Sequence, residues 1–240
     1  MHYIFVMFNP NPSSCRAASP SGRGGFTLVE LLVVIGIIAI LASVSLGPLI
    51  NARNIALHNA TVQTVHQIGE VFFAYSTDNT ANGNLYPADS TALAISQDLM
   101  NANYVSDPSI FGIRNQSGYQ AATSSGTSVA LKAQSVSWSY TCASLGTGGG
   151  ISSAASDLTP LIFYNNGWST AVVGTIQGGT GSGISVSYGA NAPFGEDGAA
   201  VFYKGSNAVY LKAGLNGTAG QVANFVSAND TDSTKYVVAP

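Results

Sequence analysis

Glu30 is the residue whose chemistry most needs explaining. It stands at the head of residues 31–52, LLVVIGIIAILASVSLGPLINA, which carry no charged side chain. Such a run exceeds the roughly 20 residues that a helix needs to cross the hydrocarbon core of a bilayer. Lipid solvates a carboxylate poorly, so an acid in that position is a functional residue by default. The alternative is that Glu30 sits at headgroup depth, stabilised by the positive end of its own helix. Deeper in the bilayer it needs a cationic partner.

Other chemistry-bearing residues are sparse. His66 and Glu70 are i, i+4 on a helix with His58 two turns earlier, and with no further ligands beside them they read as a polar helix face. GGTGSG at 178–183 is not followed by Lys-Ser/Thr and lacks the strand-to-helix context of a phosphate loop. No Ser-His-Asp or Cys-His constellation stands out, and no histidine follows His66. Of the two cysteines, Cys15 and Cys142, at most one bridge can form, which excludes a disulfide-stapled mini-domain.

Composition narrows the class further. Charged residues make up 8% of the chain, against about 25% in an ordinary soluble protein. Eight Lys+Arg against eleven Asp+Glu give a net charge of -3, which excludes a nucleic-acid binder working by phosphate neutralisation. Eleven Tyr and ten Phe exclude a charged disordered polymer.

The elements that position Glu30 come next. Arg16 and Arg23 precede the apolar run, so the positive-inside rule keeps residues before it in the cytoplasm and sends the chain after about residue 50 to the far side. Gly36, Ala39, Ser43 and Gly47 fall on one narrow helix face, a pattern that lets membrane helices approach closely. Gly47-Pro48 predicts a kink or a melted turn near 44–48. Residues 51–75 then turn amphipathic, with Ile55, Val62, Val65, Ile68, Phe72 and Phe73 as the apolar stripe that covers a globular domain. Residues 79–88 form a loop, and Ser90 caps a second helix to about Asn103 with Leu93, Leu99 and Met100 inward.

The remainder reads as strands. Residues 135–141 alternate between Val136, Trp138 and Tyr140 on one face and Ser135, Ser137 and Ser139 on the other, and 184–188 repeat the pattern. This predicts half-buried antiparallel strands. Residues 161–164, 170–176 and 235–238 are further strands, and 199–204 with 207–212 flank a two-residue Gly205-Ser206 turn. The expected fold is α+β: a long N-terminal helix, membrane-embedded in its first half and amphipathic in its second, packed on an antiparallel sheet.

The sequence around Glu30 adds a resemblance. Residues 25–30 read G-F-T-L-V-E and lead directly into L-L-V-V-I-G-I-I-A-I-L-A. This resembles the N-terminus of type IV prepilins and type II secretion pseudopilins. The resemblance implies cleavage between Gly25 and Phe26 by a prepilin peptidase and N-methylation of Phe26. Residues 1–25 would be the leader, 26–50 the transmembrane and assembly helix, and 51–240 a periplasmic pilin-like α+β domain. Glu30 then has a partner in the new Phe26 amine. Two pairings are open, one within the chain at i, i+4 and one with a neighbouring subunit; the resemblance implies the neighbour.

The resemblance also implies a structural subunit of a secretion pseudopilus and not an enzyme, held in the inner membrane before extraction. Its partners would be the peptidase, other pilin or pseudopilin subunits, an inner-membrane secretion platform and membrane lipid, with no nucleic acid. A type IV pilin for adhesion, motility or DNA uptake is the alternative, and a membrane-anchored binding module or enzyme a third reading. Pseudopilins of this kind often hold calcium in a far-side loop, which makes Glu196 and Asp197 candidate ligands and Asp230 and Asp232 a second group. Calcium takes six to eight oxygens, more than adjacent acids supply. No other cofactor is expected. After cleavage Cys142 is the sole cysteine, expected as a buried thiol.

Overall fold

The computed structural model describes residues 25–114, 116–125, 128–146, 149–165, 175–176, 184–189, 192–194, 197–214, 221–226 and 235–239. The chain divides into two compact units, Met1–Ile50 and Asn51–Pro240. The fold is α+β, a long N-terminal helix with an antiparallel sheet domain.

Helix α1 runs Leu28–Asp78 without interruption and includes Pro48. The expected melted turn at 44–48 is therefore not observed. Proline removes a single backbone donor, and the bonds on either side persist. The hydroxyls of Ser43 and Ser45 donate to the carbonyls of Ile40 and Leu41, both at 2.8 Å. In the first unit every described residue is exposed. That stretch of α1 is long and apolar enough to cross a membrane.

In the second unit α1 buries Thr61, Val65, Ile68, Gly69, Phe72 and Ser76. Ile55 and Phe73, expected on this stripe, are instead 60% and 58% exposed. Phe73 follows Phe72 by about 100° of helical rotation, which carries it off the core face. Gly69 is on that face for a steric reason. A Cβ there would stand 2.3 Å from Cζ of Phe202, so the helix backbone comes down directly on a buried ring.

Helix α2 spans Ala92–Asn101 and is capped by Thr91, whose side chain accepts from the Ala94 amide at 3.1 Å. The expected cap, Ser90, is engaged by the Asp89 carboxylate through both its amide and its hydroxyl. Ile95 and Leu99 are the fully buried anchors of α2, while Leu93 and Met100 are only partly buried.

The strands are β1 (Thr123–Ser125), β2 (Ser128–Ala130), β3 (Trp138–Cys142), β4 (Pro160–Tyr164), β5 (Thr175–Ile176), β6 (Ile184–Ser187), β7 (Gly198–Tyr203), β8 (Asn207–Lys212), β9 (Gln221–Val226) and β10 (Lys235–Val238). Six form one sheet in the order β5-β10-β3-β4-β7-β8, with every neighbour antiparallel. β1–β2 and β6–β9 are separate two-stranded sheets. Of the strand expected at 170–176, residues 170–174 lie outside the described residues.

β3 corrects the expectation of a half-buried strand. It begins at Trp138, because Ser135 belongs to a 3-10 turn, and all five of its residues are buried. Register explains this. Trp138 and Tyr140 lie opposite Tyr164 and Ile162, on the side where Phe72 of α1 meets Tyr140 at 5.0 Å between ring centroids. Ser139 lies opposite Phe163, on the other side, where Phe163 meets Phe225 of β9 edge-on at 4.8 Å. The hydroxyl of Tyr203 donates to the Phe225 carbonyl at 2.8 Å and ties β9 to the same face. The β6–β9 pair thus covers the face that the serines make look solvated.

The β7–β8 hairpin closes through three residues, Lys204-Gly205-Ser206, with Tyr203 opposite Asn207. This replaces the expected two-residue turn. Ser206, at φ 61°, takes the left-handed position, and its amide donates to the Tyr203 carbonyl at 3.0 Å. That is the geometry of a type I turn followed by an αL residue. The loop is pinned by Lys204, whose ammonium contacts Asp157 at 2.7 Å, and by the Gly205 amide on the Asp157 carbonyl at 2.9 Å.

Candidate functional site at the head of the N-terminal helix

Gly25, Phe26 and Thr27 precede α1 as non-helical residues, and Glu30 lies in its first turn. The first four amides of a helix have no partner within the helix. Here the side chains provide one. The Thr27 amide and the Thr27 hydroxyl both donate to Oε2 of Glu30, each at 2.8 Å, and the Glu30 amide donates to the Thr27 hydroxyl at 3.3 Å. This reciprocal arrangement is a capping box, with Thr27 as cap and Glu30 three residues on. The Leu31 amide completes the turn on the Thr27 carbonyl at 3.2 Å.

Thr27 was not among the residues expected at the site, although T-L-V-E carries the spacing of a capping box. In the uncleaved chain Phe26 lies just outside the helix. Among the described residues nothing lies within 4 Å of where a Gly25 Cβ would stand, and Phe26 is 81% exposed. Gly36, Ala39, Ser43 and Gly47 are all exposed, and none of the described residues lies within 4 Å of a Cβ built at either glycine.

The residues of the second unit group differently. His66 and Glu70 form the expected pair on α1, with Nδ1 to Oε1 at 3.4 Å. His58 does not join them on a polar face. Its ring stacks on Tyr210 at 4.0 Å with 13° between planes, and it meets Phe194 edge-on at 4.9 Å. Burial holds its pKa below the ordinary 6.5, with Asp197 opposing. Among the described residues no three of His, Cys, Asp and Glu gather as metal ligands. Asp197 is exposed, while Glu196, Asp230 and Asp232 lie outside the described residues. Cys142 is a free, buried thiol whose pKa burial pushes up to about 12.

Residues 20–46 match the family described as the prokaryotic N-terminal methylation motif. The match spans Gly25, Phe26, Thr27 and Glu30 together with most of the apolar run. No curated protein and no solved structure matches the chain. The motif supports a type IV pilin- or pseudopilin-like protein that is processed by prepilin peptidase and assembles with other pilin subunits. With the exposed apolar helix, it fits a single-pass, membrane-anchored pilin.

Proposed function

We propose that this chain is a structural subunit of a type II secretion-like pseudopilus. Prepilin peptidase cuts between Gly25 and Phe26, the new Phe26 amine is methylated, and the subunit leaves the inner membrane to stack through residues 26–50. The 51–240 domain stays on the periplasmic side. The subunit performs no chemistry of its own and needs no cofactor. One observation carries this reading: a Gly-Phe bond and an acid within the matched motif stand at the head of an apolar helix whose described residues, 28–50, are all exposed. Such a surface requires lipid before assembly and other subunits after it.

Glu30 has a defined role in that process. An α-amine in hydrocarbon and a carboxylate in hydrocarbon are each costly, and together they neutralise one another. A subunit enters in register when its amine reaches the acid of the neighbour. Cys142 supports the pseudopilus over a pilin stapled by a C-terminal cysteine pair, since its thiol is buried and free.

Intact mass and N-terminal analysis of the native protein test the processing. A chain beginning at methylated Phe26 is expected, and an intact leader in cells that hold the peptidase overturns the reading. Glu30→Gln tests assembly: processed subunits should persist while filaments disappear.

A further inference from the structure

We infer that Asn82 is a site of spontaneous deamidation and that the side chain of Asn79 holds the reaction in check. Asn-Gly pairs occur at 82–83, 166–167 and 216–217, and of these only 82–83 falls within the described residues. Glycine after asparagine leaves the backbone nitrogen open to approach, since it has no Cβ. Among the described residues nothing lies within 4 Å of where a Gly83 Cβ would stand, and Asn82 and Gly83 are both exposed. In the reaction a base takes the Gly83 amide proton and the nitrogen attacks Cγ of Asn82. The new C–N bond closes a succinimide ring as the Cγ–Nδ2 bond breaks, and Nδ2 leaves as ammonia with a proton from solvent. Water then opens the ring at either carbonyl and gives aspartate or isoaspartate.

The loop opposes both bond changes. Asn82 ends a 3-10 turn, Thr80–Asn82, that follows α1. Its Nδ2 donates to Asn79 Oδ1 at 2.7 Å, which holds the side-chain amide toward the start of the loop. The Gly83 amide donates to the Thr80 carbonyl at 3.2 Å, so the proton that must leave is engaged. Asn79 organises the rest. Its carbonyl accepts from the Asn82 and Asn84 amides at 3.2 and 3.1 Å, and its amide donates to the Tyr75 carbonyl at 3.0 Å. Deamidation therefore waits on the opening of this loop. The check matters here because α1 ends on Asp78 with no basic residue in its last turn. Conversion adds a second carboxylate near the negative end of the helix. Isoaspartate also inserts an extra backbone carbon beside Gly83 and Asn84, which are left-handed at φ 78° and 57°.

The test incubates the full chain in dodecylmaltoside micelles in mildly alkaline buffer, digests it, and measures the ratio of acid to amide at residue 82 by mass. A synthetic peptide of residues 79–85 is the unguarded reference. Asn82 should convert in wild type about fivefold more slowly than in the peptide, the factor that one net hydrogen bond of typical strength supplies. Asn79→Ala should remove most of that difference. Asn79→Asp, which keeps the acceptor oxygen, should preserve it. No conversion of wild type over a time in which the peptide converts fully overturns the site. Equal rates in wild type and Asn79→Ala overturn the role of Asn79. Fast conversion of Asn79→Asp overturns that role as well, because loss of the acceptor is then not the cause. Asn82→Asp should lower the thermal midpoint of the domain, and an unchanged midpoint overturns the effect on the end of α1.

Discussion

The two halves of α1 solve opposite problems with the same backbone. From residue 28 to residue 50 every side chain is exposed, although most are Leu, Ile and Val. From residue 51 to residue 78 the polar content rises, yet Val65, Ile68 and Phe72 are buried to within 1% of complete. Among the described residues the apolar half buries no side chain, whereas the mixed half buries one face. Hydrophobicity therefore does not say which part of a helix the described domain covers. It says how much surface is costly to leave in water.

The sharpest test of this contrast is a pair of phenylalanines. Phe72→Ala should cost the domain about 3–5 kcal/mol, the usual loss for a fully buried aromatic, since Phe72 is 1% exposed and packs on Tyr140. Ile38→Ala in the first half and Phe73→Ala in the second should each change domain stability by about 0.5 kcal/mol or less. Chemical denaturation of the detergent-solubilised chain, followed by tryptophan fluorescence, measures all three. A large loss at Ile38 would break the comparison.

Glycines provide the next contrast. Gly69→Ala forces a Cβ into the buried Phe202 ring, 2.3 Å away, and should cost about 1–3 kcal/mol by overpacking. Among the described residues Gly36→Ala and Gly47→Ala meet nothing within 4 Å. They should leave domain stability unchanged while reducing filament yield, if the small-residue face is where subunits approach. The denaturation midpoint and a shearing assay separate the two effects.

One pH dependence of domain stability is expected from the second half. Burial lowers the His58 pKa from 6.5, so in the folded chain the ring resists the proton that the unfolded chain binds. The unfolded state therefore holds more protons between the lowered pKa and 6.5, and stability rises with pH through that window. The His58 contribution is complete above pH 6.5 and is lost as pH falls below it. Denaturation at pH 7.5 and 5.5 should show this loss in wild type and a smaller one in His58→Phe. The smallest effect is expected at the hairpin against which the second half packs. Ser206→Gly relieves a left-handed residue at φ 61° and should stabilise the domain by about 0.5 kcal/mol, because αL strain slightly exceeds the entropy cost of glycine. A shift in thermal midpoint without any change in filament yield is the expected result.

Much of the candidate site was legible before the structure. Glu30, Gly25 and Phe26 are recognisable by type and spacing, because a charge beside an uncharged run is a local property. Thr27 was equally legible, because T-L-V-E has the spacing of a capping box. His58 could not be placed from sequence. Its stack on Tyr210 joins residues from α1 and β8 that only the sheet brings together. The same is true of the β7–β8 loop, where Ser206 and not Gly205 takes the left-handed position, a choice set by the pinning of Lys204 and Gly205 on Asp157.

By itself the sequence determined the N-terminal helix, its span and its acid, since helix formation and lipid solubility depend on neighbours a few residues apart. Only the tertiary structure decided which side of residues 51–78 is buried and why β3 has no solvated face. The serines of β3 alternate as surface residues would, but β9, from far along the chain, lies across them. Burial is a property of pairs of surfaces, and a strand's own residues do not reveal the second surface.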